Sequence, residues 1–460
     1  MQLPTRDGLE WDDRPLGMEP RWARQPQLDA IAQVCRSVLA LDPKDSCNIT
    51  FHAQGAFNKV YIVETAQGRS VMRVSLPVDP GHKTRGEVTT LRWIRRTTNV
   101  PVPKVIAFDD TQNNAIGFEW ILMELMPGMS AYKRWRKMSM ADKTWVVEQI
   151  AEFQSQLFRH SLEEANFHSI GTLSSPDNIS EPARANPKPG RIVALHFFEG
   201  DHFSYEIARG PFRSSYDWLN AYLSIVHQEQ TEILKKEEDD DVLDDAKETL
   251  KLAARLTALL PKIFPSLQNP AEQTVLWHDD LSLQNILVDD DGKVTGVIDW
   301  ECVSCEPLWV VTEMPQFLSG RDREEEPDRD RYGDADGDSS ADEEASSDDE
   351  ELGNTLDNKL RNYKLDNEGK TDLYWINLME YDQTQLREVY TTKMKELWPQ
   401  WETEAKHGTL KLDFLGAVLH CASGWYLKRT QQWIDAVEAG EYPRLDDILS
   451  PNEEEFEGEA

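Results

Sequence analysis

The stretch VLWHDDLSLQNILVDDDGKVTGVIDWE, Val275 to Glu301, constrains this chain more than any other. Two apolar runs, Asn285 to Val288 and Lys293 to Ile298, flank Asp289-Asp290-Asp291-Gly292. An Asp-Gly step between strand-like runs is a hairpin signal. Such a hairpin gathers polar groups at the end away from its turn: His278 and Asp280 before it, Asn285 at its start, Asp299 at its end. Asn285 and Asp299 then lie close together although 14 positions separate them. A carboxylate and an amide oxygen beside a third acid suit magnesium–nucleotide chemistry, because magnesium takes few protein oxygens and fills its shell with phosphate and water. Asp280, off the metal, is placed to orient an attacking hydroxyl and accept its proton. A plain hairpin with acidic ends accounts for Asp289 to Asp291, but not for the polar set at the far end.

What surrounds that stretch narrows the class. The 460 residues, 39% hydrophobic with 15 Trp, suffice for two or three packed units. A net charge of −34, from 83 acidic against 49 basic residues, disfavours nucleic acid and anionic membranes as partners. Both need clustered Lys and Arg. Much of the excess is local, with acids outnumbering bases roughly four to one from Arg321 to Glu351. No run approaches the ~18 apolar residues of a membrane span. The opening MQLPTRDGLEWDD lacks the apolar core of a secretory signal. Five cysteines make no disulfide framework, and Cys302 with Cys305 forms a lone Cys-x-x-Cys whose default reading is buried thiols. A cytoplasmic location is expected, with a mitochondrial one left open.

Apolar spacing predicts a helix over Leu28 to Leu41, then strands KVYIVET and RSVMRVS joined by a turn at Ala66-Gln67-Gly68. A helix over Lys83 to Thr97 follows, Pro101 and Pro103 break the chain, and strands come at KVIAFD and FEWILMEL. Beyond Met126-Pro127-Gly128 the pattern turns helical, with helices at Met138 to His160, Asp241 to Phe264, Gln385 to Trp401 and Leu412 to Ala436. Gly171 to Arg213 reads as a long ordered connection. Residues 320–356 hold too little apolar surface to offset the entropy of ordering, so a disordered insertion is expected there. Its serines 339, 340, 346 and 347, set among acids, are candidate phosphorylation sites.

His278, Asp280, Leu281, Asn285 and then Ile298, Asp299 and Trp300 fall in register on the pattern of the aminoglycoside phosphotransferase family, which this chain resembles. The resemblance implies the protein-kinase fold, with Asp280 as catalytic base and Asn285 and Asp299 as metal ligands. By the same resemblance Gly55 in QGAFNKVYIV marks the phosphate-covering turn, and Arg73 in VMRV stands where the family carries the phosphate-contacting Lys. Glu87 on the next helix is its partner carboxylate. Ile121 to Gly128 is similar to the interlobe hinge, where the backbone of Glu124 and Met126 would hold adenine beside a buried Met123. The chain departs from the pattern at Arg73 and at Asp279, where the family has Gly. It lacks the Asp-Phe-Gly and Ala-Pro-Glu of protein kinases, which favours a small-molecule acceptor. GRIVALHFFEGDH and RGPFRSSYDWL look like uncharacterised fungal members.

The resulting expectation is a two-lobed, protein-kinase-like α+β fold. Its parts are an N-terminal arm and helix (1–45), a small β-sheet-plus-helix N-lobe (46–126), a larger mainly helical C-lobe (127–319 and 357–450), the acidic insertion (320–356) and an acidic tail (451–460). The expected activity is Mg-ATP-dependent phosphoryl transfer to a small-molecule hydroxyl, with acids such as Asp217 or Glu301 lining a cationic acceptor's pocket. A nucleotide-binding pseudokinase, using the acidic insertion to hold a protein partner, is the alternative.

Overall fold

Strand and helix signals sort along the chain as two unlike halves, and the computed structural model, which describes residues 4–14, 17–175, 186–266, 269–328 and 372–449, is built that way. The N-terminal arm forms an antiparallel pair, β1 (Leu9–Arg14) and β2 (Gly17–Trp22), followed by α1 (Leu28–Val38). Then come β3 (Cys47–Gln54), β4 (Asn58–Thr65), β5 (Gly68–Ser75), α2 (His82–Thr97), β6 (Val105–Asp109) and β7 (Glu119–Glu124). These strands make one antiparallel sheet in the order β3-β4-β5-β7-β6. Thr65 pairs with Gly68, so the β4–β5 turn is only Ala66-Gln67, one residue tighter than its sequence signal.

Strand alternation gives each sheet face its own cover. Met72, Val74, Trp120 and Leu122 pack with Trp22 and with Ile31 and Cys35 of α1. Ile121 and Met123 point the other way and pack with Val88 of α2. Arg73, between Met72 and Val74, therefore faces α2 and the cleft below it.

After β8 (Met129–Ser130) and the short α3 (Ala131–Arg134), α4 (Met140–Arg159) opens on a capping box between Ser139 and Asp142. β9 (Gly171–Ser174), β10 (Lys188–Pro189), α5 (Leu195–Phe198), α6 (Ser215–Lys236) and α7 (Asp240–Ile263) follow. β11 (Thr274–Trp277), β12 (Ile286–Val288), β13 (Val294–Val297) and β14 (Ser304–Pro307) complete two small sheets, β10-β9-β14-β11 and β13-β12-β8. Helices α8 (Asp372–Leu397), α9 (Trp401–His420), α10 (Leu427–Ala439) and α11 (Leu445–Leu449) close the C-terminal core. This is the two-lobed kinase-like α+β fold. No helix among the described residues is long and apolar enough to cross a membrane.

Three expectations need correction. The helix expected over Leu412 to Ala436 is two, because backbone bonds from Ser423 to His420 and from Tyr426 to Ser423 turn the chain between α9 and α10. α8 starts well before Gln385, at Asp372. The front of the acidic segment is ordered: Arg323 binds Glu380 and Asn377 of α8, and its N–H donates to Thr384. The rest of the expected insertion from residue 329, its four serines and the 451–460 tail lie outside the described residues.

Candidate active site

The β12–β13 hairpin forms at the expected place, with the register Ile286–Val297. Ile298 N–H donates to the Asn285 carbonyl at 2.9 Å, which continues the ladder and brings Asn285 and Asp299 together. Asn285 Nδ2 donates to the carbonyl of Asp280 at 2.9 Å and to Asp280 Oδ2 at 3.0 Å. Both partners accept, so the amide nitrogen must face Asp280, and Oδ1 is left for another ligand. Asp299 sits at φ +64°, a left-handed conformation that Asp tolerates better than most residues. Its Oδ1 is buried and has no hydrogen-bond partner among the described residues, although Arg73 lies 3.0 Å away as an ion pair. A carboxylate oxygen without a hydrogen bond, beside an amide oxygen turned away from Asp280, is a donor set that fits magnesium once Arg73 yields its place to the metal.

Asp280 reaches solvent at the cleft floor. Partial burial raises its carboxyl above the usual value, helped by Asp299 and Glu301 and opposed by His278 and Asn285. Asp279 folds back so that its Oδ1 accepts from the Asp280 N–H at 3.1 Å. The side chain standing in place of glycine is thereby turned onto its own loop. His278 is buried against Trp300, with ring centres 4.6 Å apart.

Across the cleft, Arg73 bonds Glu87 at 2.7 Å and pairs with Asp299 at 3.0 Å and Glu301 at 2.8 Å. Burial opposes the charge on Arg73, but these three carboxylates outweigh it and the guanidinium's pKa rises. Glu301 also binds Lys83 at 2.5 Å and accepts from Asn58 at 2.7 Å. Burial works against its ionisation too, yet Lys83 and Arg73 hold its carboxyl down at about 2. The sequence reading missed Lys83 and Asn58. Lys83 lies four residues before Glu87 on α2, a spacing that puts both on one helix face and carried the signal.

The other expected positions lie apart from this network. An added methyl at Gly55 would meet nothing within 4 Å, so open space borders the β3–β4 turn. Glu124 N–H is already given to the Lys104 carbonyl at 2.9 Å, so only the Glu124 carbonyl and Met126 backbone face the hinge role expected of them. Asp217 lies in the first turn of α6, where its carboxylate accepts from the hydroxyl of the capping residue Ser214 at 2.9 Å. Glu301 is committed to the two cations. A half-buried acid that the sequence reading did not name is Glu306, whose buried Oε2 has no partner among the described residues. Burial, with the charge of Asp279, pushes its carboxyl well above the usual range. Cys302 and Cys305 are free thiols, and no cluster of three or more His, Cys, Asp or Glu side chains placed to hold a metal occurs among the described residues.

A two-lobed fold with Arg73 and Glu87 above and Asp280, Asn285 and Asp299 below has the layout of a phosphotransferase. The model of the phosphotransferase enzyme family matches residues 48–310, and the chain belongs to that family. A subtelomeric hrmA-associated cluster protein of Aspergillus fumigatus is 28% identical over 316 residues, 60% of this chain and 61% of that protein's length. The yeast (Saccharomyces cerevisiae) "altered inheritance of mitochondria protein 9, mitochondrial" is 22% identical over 331 residues, 62% of this chain and 53% of its own length. Among solved structures, aminoglycoside phosphotransferase APH(4)-Ia with ADP and hygromycin B aligns over 91% of this chain and 98% of its own, at 13% identity and a TM-score of 0.41.

Proposed function

We propose that this chain transfers a phosphoryl group from Mg-ATP to a hydroxyl of a small molecule. The observation that carries the reading is an Asp299 Oδ1 that is held only by the Arg73 ion pair, next to an Asn285 amide whose nitrogen is fixed on Asp280. Asn285 and Asp299 would hold magnesium, which neutralises charge on the phosphates when bound. Arg73, kept charged by its carboxylates, would meet phosphate oxygens as a planar, bidentate donor. The Glu124 carbonyl and the Met126 N–H are the backbone groups for adenine, and the space beside Gly55 admits the phosphates. Asp280 orients the acceptor hydroxyl and takes its proton, and its raised pKa brings it nearer to the value that suits a base. Catalysis of this kind is mostly positioning and charge stabilisation.

The nucleotide-binding scaffold is a second reading, favoured by one contact: Arg73 already lies on Asp299 at 3.0 Å. Calorimetry with Mg-ATP, and turnover in the same samples, separates the two. Magnesium-dependent binding lost in Asp299→Ala, with slow ATP hydrolysis lost in Asp280→Asn, is the result expected of the enzyme. Binding without any turnover turns the reading to the scaffold, and no binding at millimolar ATP removes both.

A further inference from the structure

The single turn α5 and the bend after it, residues 195–205, belong to both cores: Phe198 and Phe203 pack with the N-lobe, Phe197 and Tyr205 with the C-terminal helices. So short a turn leaves carbonyls to be satisfied from outside, and cationic side chains take them. Arg6 of the N-terminal arm donates to Phe198 and Gly200 at 2.8 and 3.1 Å. Arg209 donates to Phe197, and to His202 and Phe203 at 2.6 and 3.0 Å. Both guanidiniums stay charged around neutral pH. The third donor is the ring of His202, 9% exposed, whose Nδ1 lies 2.9 Å from the His196 carbonyl.

A carbonyl only accepts, so Nδ1 carries a hydrogen. The other ring nitrogen, Nε2, lies 3.0 Å from Glu229 Oε1 on α6. Gln230 donates to the second oxygen of Glu229 at 3.3 Å, so that side chain accepts on both sides and Nε2 carries a hydrogen too. With hydrogen on both nitrogens the ring is an imidazolium. Burial opposes its charge, but the bond and charge of Glu229, the His196 carbonyl and the charge of Glu199 outweigh it and raise the imidazole above its usual value. The groups around it do not compete for the proton. Burial, with the charge of His202, pushes His196 down to about 4, and burial lowers His420 of α9 as well. Tyr205, its ring centre 5.3 Å from that of His202, is pushed up by burial, and Asp201 pairs with Lys236 of α6 at the surface, 4.0 Å away.

We propose that the His202–Glu229 bond is a pH-sensitive bolt between this connection and α6. Protonated, the ring holds the His196 carbonyl and Glu229 together; after losing a proton it can donate to only one of them. The release matters because the same turn grips the N-lobe, where Phe198 meets Phe57 of the β3–β4 turn with ring centres 5.4 Å apart. A raised imidazole gives its full stabilisation below the usual value of ~6.5 and loses it as pH climbs through the folded one. The N-lobe should therefore loosen from α6 on the alkaline side. The bolt involves no nucleotide, so its failure leaves the phosphotransferase reading standing.

The test uses the full chain labelled with 15N-histidine, its His202 signals assigned with His202→Gln. At pH 6 both ring nitrogens should carry imidazolium shifts, and the titration midpoint should lie above the ordinary 6.5. Glu229→Gln keeps the shape, takes away the charge and should lower that midpoint. Hydrogen exchange reads the coupling. As pH rises through the midpoint, protection of β3–β5, corrected for the intrinsic rate, should fall about tenfold relative to α4, the worth of one charged hydrogen bond. The buried Glu119, its carboxyl pushed up to about 7, titrates in the same range. The decisive sign is therefore that in Glu229→Gln the step moves to lower pH together with the midpoint. Should Glu229→Gln fail to fold, Glu229→Asp draws the carboxylate back and should move both in the same direction. A neutral ring at pH 6, a midpoint that the variants leave in place, or a step that stays put when the midpoint moves overturns the proposal.

Discussion

Glu119 lies 2% exposed on β7 and accepts the Gly81 N–H at 2.6 Å where α2 begins. Burial pushes its carboxyl up to about 7, against the pull of that bond and of Lys83. A raised acid favours the folded state fully below the ordinary value and loses that advantage as pH climbs through the folded one. Wild-type stability should therefore fall between about pH 4.5 and 7 relative to Glu119→Gln, by on the order of 2 kcal/mol. Urea melts of both proteins at pH 5 and 7.5 check it, and parallel pH curves would refute the assignment. Glu301 is the opposite case, an acid held ionised by two buried cations. Glu301→Gln leaves Arg73 and Lys83 short of charge and should cost about 3 kcal/mol in the same melts at neutral pH. A loss below about 1 kcal/mol would mean Glu87 and Asp299 suffice. At this scale the sequence was partly legible. Asp280, Asn285, Asp299, Arg73 and Glu87 could be singled out because each belongs to a fixed spacing. Asn58 could not, since its partner Glu301 lies over a hundred residues away, and Lys83 showed only through its four-residue spacing from Glu87.

Helix α2 carries Glu87 and is set in place by a close approach to β9. A methyl built at Gly86 would come within 2.5 Å of Thr172 Cγ2. Gly86→Ala must therefore push the helix off the strand, at a cost of about 1–3 kcal/mol, and should draw Glu87 away from Arg73. Thr172→Ser removes the clashing methyl and keeps the hydroxyl that bonds Ser304 and the Val193 N–H. The double variant should recover most of the stability and nucleotide binding lost in Gly86→Ala; if it does not, the glycine serves the helix for another reason. Elements with their own periodicity were readable from sequence: the β4–β5 hairpin, α1, α2, α4, α7 and the β12–β13 hairpin. α6 was not, because its Pro- and Gly-rich approach hid the start, and the start is fixed by Ser214 capping Asp217 N–H. The α9–α10 break was marked in the sequence only by Ser423-Gly424, and the buried positions on its two sides would not share one face of a continuous helix.

The long connection after β9 couples the lobes. Val193, Phe198 and Phe203 belong to the cluster under the N-lobe sheet, with Trp22, Met72 and Phe118. Phe198 meets Phe57 of the β3–β4 turn edge-on, ring centres 5.4 Å apart, and Arg191 binds the buried Asp79 through two nitrogens at 3.1 and 3.2 Å. The N-terminal arm adds a clasp: Arg6 donates to the carbonyls of Phe198 and Gly200 and stacks on Phe203. These contacts hold the β3–β4 turn from the C-lobe side, so the lobes should open as one cooperative unit rather than swing freely. Phe198→Ala deletes the ring at the centre of that contact and should cost about 3–5 kcal/mol. Hydrogen exchange localises the effect. In the wild type, β3–β5 and α4 should share one opening free energy. In Phe198→Ala, β3–β5 should exchange earlier while α4 keeps most of its protection, and the N-lobe should become a separate unit. Equal loss of protection in both lobes would instead mean that the coupling runs through α2 and β9.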